Sequence, residues 1–312
     1  MAWFSRSKTQ PGWMAISTDA DAIRLAHVER QAQGKPRVDH WGIVQRDNGD
    51  GTALQKAAQK YRLDRYQCTA LLRAQDYQLL MVDAPNVPRD ELKAAIRWRV
   101  RDLLDYHIDD ATMDVLDVPF DKDAQGQTHY MYTVAAKNQT VQAQVTQFER
   151  AKIPLQVIDI PETAQRNIAE LYETADRGIA MLTFDHSGGL FTLSFAGELY
   201  LARRLDLSWA QLAGAEESQR QLHFERIGVE LQRSLDHFER QYRQITLSEL
   251  MLGPMPEDIG LAAFLASHLY LPLRNVNLAD VLEFGAERMD ADQQRQLLHV
   301  LGAALRMDGK AL

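Results

Sequence analysis

Two stretches of this 312-residue chain carry the same punctuation, and that repetition limits the available folds more than any other feature. From Gly12 an apolar run leads into Asp19, and from Gly178 a second apolar run leads into Asp185, each aspartate seven positions after its glycine. Behind Asp19 the alternating residues 22–28 and 38–44 read as two strands. Behind Asp185 a Ser187-Gly188-Gly189 turn precedes strands at 190–195 and 199–205, with Ala196-Gly197 turning the chain between them. Period-two alternation broken by glycine turns is the pattern of a β-meander. Two meanders half a chain apart predict two related halves.

The sequence between them supplies the connections. Residues 52–63 read as a short amphipathic helix with Leu54, Ala57, Ala58 and Tyr61 on one face, after a loop at 48–51. Strands are expected at 67–72 and 78–82, and the two prolines of 83–88 mark a boundary. Pro88 opens a helix with Asp90 and Glu91 in its first turn, where the helix dipole favours acids. Leu92, Ile96, Val100 and Leu103 form its apolar stripe; Arg97, Arg99 and Arg101 lie off it, as a solvated face or a binding rim. Strands at 113–118 and 128–135 flank a polar loop at 121–126, and a helix at 139–151 completes a compact α+β unit.

Further on, a strand at 153–160 and a helix at 161–174 lead into the second meander. The longest helix, 219–245, buries Phe224, Ile227, Leu231, Leu235, Phe238, Tyr242 and Ile245 along one stripe. Its outer face offers Asp236–Arg240 and Glu239–Arg243 as i,i+4 ion pairs. A strand at 249–252 ends at Gly253-Pro254, followed by a helix at 256–268, an edge strand at 271–274 and a last helix at 292–305; the tail beyond Met307 is expected to be loose.

Composition excludes several function classes. Thirty-five basic against 43 acidic side chains give a net charge of −8, which argues against a nucleic-acid binder of the basic-patch kind. The single cysteine, Cys68, excludes an intrachain disulfide and a cysteine-rich metal site, and its apolar run makes it a buried structural thiol. No run is long enough to span a membrane. Trp3, Phe4, Arg6 and Lys8 make a basic, aromatic start that reads first as a loose terminus; contact with an anionic membrane surface is the alternative, and one short segment of this kind gives little affinity alone. His223 and His237 are too far apart along one helix to share a metal, and Asp109-Asp110 and Glu216-Glu217 point apart as adjacent acids. Ser187-Gly188-Gly189 lacks the glycine two residues before the serine that a nucleophile elbow needs. No catalytic residue and no metal site is assigned.

The order of elements resembles the actin-like ATP-binding folds, and more narrowly the PilM and MshI proteins of type IV pilus assembly. The residues that carry the resemblance are 88–100, Pro-Arg-Asp-Glu-Leu-Lys-Ala-Ala-Ile-Arg-Trp-Arg-Val, then residues 230–242 and Leu250-Met251-Leu252-Gly253. It implies an α/β, ribonuclease-H-like duplicated, two-domain architecture. Residues 1–83 with 153–177 would form the first domain, 84–152 an inserted α+β subdomain, and 178–312 the second domain. The MSHA branch, serving mannose-sensitive haemagglutinin pili, fits best because the nucleotide motifs are degraded.

In that family ATP and its Mg ion are held by two β-turns and a glycine-rich turn, whose backbone N–H groups approach the phosphates. By resemblance the remnant of that site is Asp185, Gly188, Gly189, Thr192 and Gly253. The first turn has no glycine between Trp13 and Gln33, and the late turn is reduced to Gly253-Pro254-Met255, so the expectation is no bound cofactor and no ATPase activity. The resemblance further implies a cytoplasmic scaffold at the inner face of the inner membrane, associated with it peripherally and capable of self-association. It would bind the N-terminal cytoplasmic tail of a bitopic membrane partner through Leu72, Leu80, Leu92, Ile96, Arg97 and Val100. Leu92, Ile96 and Val100 fit the subdomain's own core equally well. The alternative is a working ATPase or ATP-gated switch of the same superfold, or a sugar kinase.

Overall fold

In a computed structural model, residues 10–46, 52–120, 128–285 and 287–307 are described. The expectations for Trp3, Phe4, Arg6 and Lys8, for the loops at 48–51 and 121–126, and for the tail at 308–312 lie outside the described residues.

The duplication is visible in strand order. In the first half β1 (Trp13–Thr18), β2 (Ala22–Glu29) and β3 (Arg37–Gln45) form an antiparallel meander. Beyond α1 (Ala53–Tyr61), β4 (Gln67–Leu71) and β8 (Leu155–Asp159) extend the sheet in parallel on the far side of β1. In the second half β9 (Arg177–Phe184), β10 (Gly189–Phe195) and β11 (Glu198–Leu205) repeat the meander. There, after α5 (Trp209–Gly214) and α6 (Glu217–Gln241), come β12 (Thr246–Leu252), α7 (Leu261–His268) and β13 (Leu273–Asn275). The order β3-β2-β1-β4-β8 thus matches β11-β10-β9-β12-β13 strand for strand. Gly12 and Gly178 play equivalent parts in it. A Cβ on Gly12 would lie 2.4 Å from the Val28 carbonyl oxygen, and one on Gly178 would lie 2.8 Å from that of Ser194, so each lets the first strand of its meander press on the second.

The inserted unit carries its own sheet, β5 (Tyr77–Asp83), β7 (Tyr130–Lys137) and β6 (Ala111–Asp117) in the order β5-β7-β6, with α2 (Leu92–Val100) and α3 (Asn138–Arg150). Ile96 and Val100 of α2 are fully buried there against Val82, Val115 and Met131. Two last helices cross between the halves. α4 (Pro161–Glu170) follows the first sheet but packs on β10 and β11, whereas α8 (Ala291–Ala304), at the end of the second half, packs on β1 and β2. They meet where a Cβ on Gly302 would lie 2.0 Å from the Ala164 carbonyl oxygen, and Asn167 Nδ2 donates to the Gly302 carbonyl at 2.9 Å.

The bounds of the three units differ from the sequence expectation. β5, assigned to residues 1–83, pairs with β7 of the inserted sheet. β14 (Glu283–Phe284), unseen in the sequence because it is only two residues long, adds to β3, so β14 and α8 cover the first sheet although they fall within 178–312.

Several elements also shift. Gly260, at φ +87°, starts α7 at Leu261 rather than at 256, and α4 stops at Glu170 rather than at 174. α6 runs from Glu217 to Gln241. α2 ends at Val100, so Leu103 leaves the buried stripe and is 52% exposed. The two ion pairs expected on α6 are not formed among the described residues: Asp236 accepts from Gln232 at 2.6 Å and Glu239 accepts from the Tyr270 hydroxyl at 2.5 Å. α5 adds to the elements expected from the sequence, and Ser208 and Gln211 form a capping box that its S-x-x-Q spelling announces.

Candidate functional site

A cleft of about 320 Å³ opens between the two meanders. Its walls are the β1–β2 turn with Asp19 and Asp21, the β9–β10 turn with Asp185 and His186, and α8 with Gln296 and His299. The symmetry of the halves brings Asp19 and Asp185 to the same cleft, because each aspartate follows the central strand of its sheet.

On the first-half side the charges are held by Arg24, which β2 carries inward and buries. Its Nη1 donates to Asp19 Oδ2 at 3.0 Å and its Nη2 to Asp21 Oδ2 at 2.7 Å. Gln296 of α8 accepts from the same guanidinium at 3.3 Å. Ser17 Oγ donates to Asp19 at 2.8 Å, and His186 Nε2 lies 3.4 Å from Asp19 Oδ1 across the cleft. Burial disfavours ionising Asp19, but the hydrogen bonds and charges of His186, Ser17 and Arg24 outweigh it and hold the carboxyl below its ordinary range. The hydrogen bond to Asp19 correspondingly raises His186.

On the second-half side Asp185 turns on its own loop. Its Oδ1 accepts from Ser187 N at 2.7 Å, Ser187 Oγ at 2.7 Å and Gly188 N at 3.1 Å, an Asx-type turn. Its Oδ2 lies 3.5 Å from His299 Nδ1. Burial opposes the charge here too, yet His299 and Ser187 hold Asp185 far below the ordinary carboxylate range.

The five remnant-site residues are not gathered together. Asp185 lines the cleft. Gly188 and Gly189 serve packing, since a Cβ on Gly188 would lie 2.7 Å from the Leu205 carbonyl oxygen and one on Gly189 2.7 Å from the Phe184 ring. Thr192 is fully buried and accepts from Gln165 Nε2 at 2.9 Å, beneath the sheet. Gly253 lines a separate depression with Pro254 and Met255, and its N–H is taken by the Leu182 carbonyl at 2.7 Å. Sequence reasoning missed Arg24, His186 and His299. The signal for Arg24 was an arginine flanked on both sides by apolar residues, Ala22-Ile23 and Leu25-Ala26, within a strand.

Asp19, Asp21 and His186 offer one ligand atom each within 4.8 Å of one another, a grouping that suits a divalent ion. Arg24 already bonds both carboxylates, so an ion there would have to displace the guanidinium or share its acceptors.

The partner residues divide by burial. Ile96 and Val100 are fully enclosed in the subdomain core, and Leu72 packs with Tyr77 and Ile160 where the subdomain joins the first sheet. Leu80, Leu92 and Arg97 are half-buried, and Arg97 Nη2 donates to Asp109 at 2.9 Å. Direct contact with a partner is therefore closed to Ile96 and Val100, whose role is to seat α2. The accessible surface beside them is a depression of about 200 Å³ lined by Lys93, Ala94, Arg97, Met113 and Val115, between α2 and the open edge strand β6.

The duplicated sheets, crossed helices and inter-half cleft define an actin-like ATPase fold, and comparison with solved structures shows the same class. A protein of a PilM-PilN type IV pilus biogenesis complex superposes with a TM-score of 0.69 at 18% identity, covering 94% of this chain and 97% of its own. A Bacteroides thetaiotaomicron protein with an actin-like ATPase fold superposes at 0.54 with 9% identity, over 98% and 100% of the two chains. The cytoplasmic domain of EpsL, an inner-membrane component of the Vibrio cholerae type II secretion system, superposes at 0.50 with 14% identity, over 95% of each chain. No protein-family model and no curated protein sequence matches the chain. No helix among the described residues is long and apolar enough to cross a membrane.

Proposed function

We propose that this chain is a scaffold of a type IV pilus assembly platform, of the MSHA-like kind, that works at the cytoplasmic face of the inner membrane. It binds the N-terminal cytoplasmic tail of a bitopic membrane partner. The observation that carries the reading is the end-to-end likeness to the protein of the PilM-PilN complex, reinforced by the EpsL cytoplasmic domain. An extended tail suits the depression between α2 and β6, because among the described residues β6 pairs only with β7 and leaves its outer main-chain groups to a further strand. Titration of the purified chain with N-terminal peptides of single-span proteins encoded nearby tests this. Saturable binding weakened by Arg97→Glu and Ala94→Arg is expected, and absence of binding by every such peptide overturns the docking claim.

The cleft acts as a structural joint and not as an ATPase site. This is supported by where its hydrogen bonds go: the backbone donors of the second turn serve Asp185 itself, and the cation of the first half serves Asp19 and Asp21. Mg-ATP should therefore leave the melting temperature unchanged, since only a ligand that binds the native state stabilises it. A rise at sub-millimolar ATP that Asp185→Ala abolishes would favour the nucleotide-switch alternative.

A further inference from the structure

On the first half, away from the cleft and the inserted subdomain, a pocket of about 560 Å³ lies between the meander and the end of α1. Its two acids share one guanidinium. Arg37 donates to Glu29 and to Asp39, both at 2.7 Å. Lys60, Arg62 and Arg65 line the same pocket, and among the described residues none of them pairs with a carboxylate. Lys60 rests over the Tyr61 ring, 5.0 Å from its centre. In a chain of net charge −8, the four cations Arg37, Lys60, Arg62 and Arg65 outnumber the two acids Glu29 and Asp39 around one concavity and leave a local positive field that attracts anions.

The pocket floor adds an independent observation. His27 is 2% exposed and lies 4.6 Å from the Tyr66 ring, centre to centre. Its Nε2 lies 2.9 Å from the Pro11 carbonyl oxygen, which can only accept, so that nitrogen carries a proton. Nδ1 then has no hydrogen-bond partner and faces Asp39 Oδ2 at 3.2 Å, an arrangement that is attractive only when the ring takes a second proton. Negative charge brought into the pocket favours that second proton. At the rim Gln10 N donates to the Arg65 carbonyl at 2.9 Å, which places the attachment point of residues 1–9, with Trp3, Phe4, Arg6 and Lys8, beside the three cations.

We infer that this pocket receives the phosphate of an anionic phospholipid headgroup and that the surface around Lys60, Arg62 and Arg65 is the one the chain turns toward the membrane. The cations supply the attraction, and the adjoining basic, aromatic sequence matches an interfacial segment in composition. The inference takes from the proposed function only that the chain works against a membrane, and it involves neither the α2–β6 depression nor the cleft.

Co-sedimentation of the full chain with phosphatidylglycerol-rich vesicles, against pure phosphatidylcholine vesicles, tests it without any partner protein present. Binding to the anionic vesicles alone is expected. Arg62→Glu with Arg65→Glu should weaken it at least about tenfold, as should Lys60→Glu with Arg62→Glu should the first pair disturb folding. Arg240→Glu with Arg243→Glu, an equal charge change on the distant α6 end, should leave binding within about twofold. No binding to anionic vesicles, or equal losses from the pocket and α6 variants, overturns the inference. So does saturation of the pocket by inorganic phosphate without any vesicle binding, which would assign it to a soluble ligand. Peptide binding measured on the same preparations separates a failure here from a failure of tail docking.

Discussion

His186 and Asp19 face each other across the cleft from opposite halves of the molecule, Nε2 to Oδ1 at 3.4 Å, and His299 and Asp185 repeat the relationship at 3.5 Å between α8 and the second meander. The groups come from segments far apart in sequence, so each contact ties two distant parts of the chain together across the cleft.

The first prediction concerns pH. His186 is raised in the folded state, so its contribution to stability is full below the unfolded value of roughly 6.5 and is lost as pH rises through the higher folded value. Asp19 and Asp185 are lowered, so theirs is present above about pH 4 and is lost as pH falls through their depressed values. Urea midpoints measured from about pH 5.5 to 8 should fall more steeply for the wild type than for His186→Gln. Parallel curves would remove the His186–Asp19 pair from the account.

A second prediction follows from the crossing of α4 and α8. With a Cβ on Gly302 only 2.0 Å from a backbone oxygen of Ala164, Gly302→Ala must push two helices apart rather than turn a side chain aside. The expected loss is about 3 kcal/mol, at the upper end for overpacking, seen as a lower thermal midpoint. A shift within the error of the wild type would mean that the helices are not held at this distance.

How far the fold was legible follows the same physics. The meanders and the α6 stripe were readable because period-two and period-3.6 patterns report local geometry and one-sided burial. Cys68 behaves as its apolar neighbours imply, its thiol pushed up to about 12 by burial. Domain membership was less legible, because β5, β14 and α8 join sheets that the order along the chain does not indicate. Of the remnant-site residues, Asp185 was legible through its repeat in Asp19. Thr192 was not, since an inward side chain on β10 has the same spelling whether it meets a ligand or Gln165. Arg24 and His299 reach the cleft only through tertiary placement.

A third prediction concerns the join between all three units. Glu162 of α4 is 1% exposed and accepts from the Tyr77 hydroxyl of β5 and from Arg204 Nε of β11 at 3.0 Å. Arg204→Ala strands that buried carboxylate, and a loss of about 3–5 kcal/mol is expected. Glu162→Gln removes the charge but keeps a polar partner for Tyr77, and Arg204, with a third of its side chain exposed, can turn to water; the expected loss is only about 1–2 kcal/mol. Chemical denaturation of the two variants decides it, and equal losses would refute the asymmetry.

The last prediction tests whether Arg24 is what closes the cleft to ions. Its guanidinium bonds Asp19 and Asp21, the two acids that with His186 form the divalent-ion grouping. Removing it as Arg24→Ala forfeits hydrogen bonds between charged groups, at a cost of about 1.5–3 kcal/mol, and leaves two carboxylates adjacent with one histidine to balance them. That arrangement is worse for the apo protein and better for a cation. Millimolar Mn²⁺ should therefore raise the melting temperature of Arg24→Ala while leaving the wild type unmoved, because stabilisation by a ligand scales with its affinity for the folded state alone. Adding Asp21→Asn to Arg24→Ala should abolish the rise by removing an oxygen ligand without restoring the cation. If Mn²⁺ stabilises the wild type as strongly as the variant, the guanidinium does not exclude ions, and the joint would be a metal-binding one.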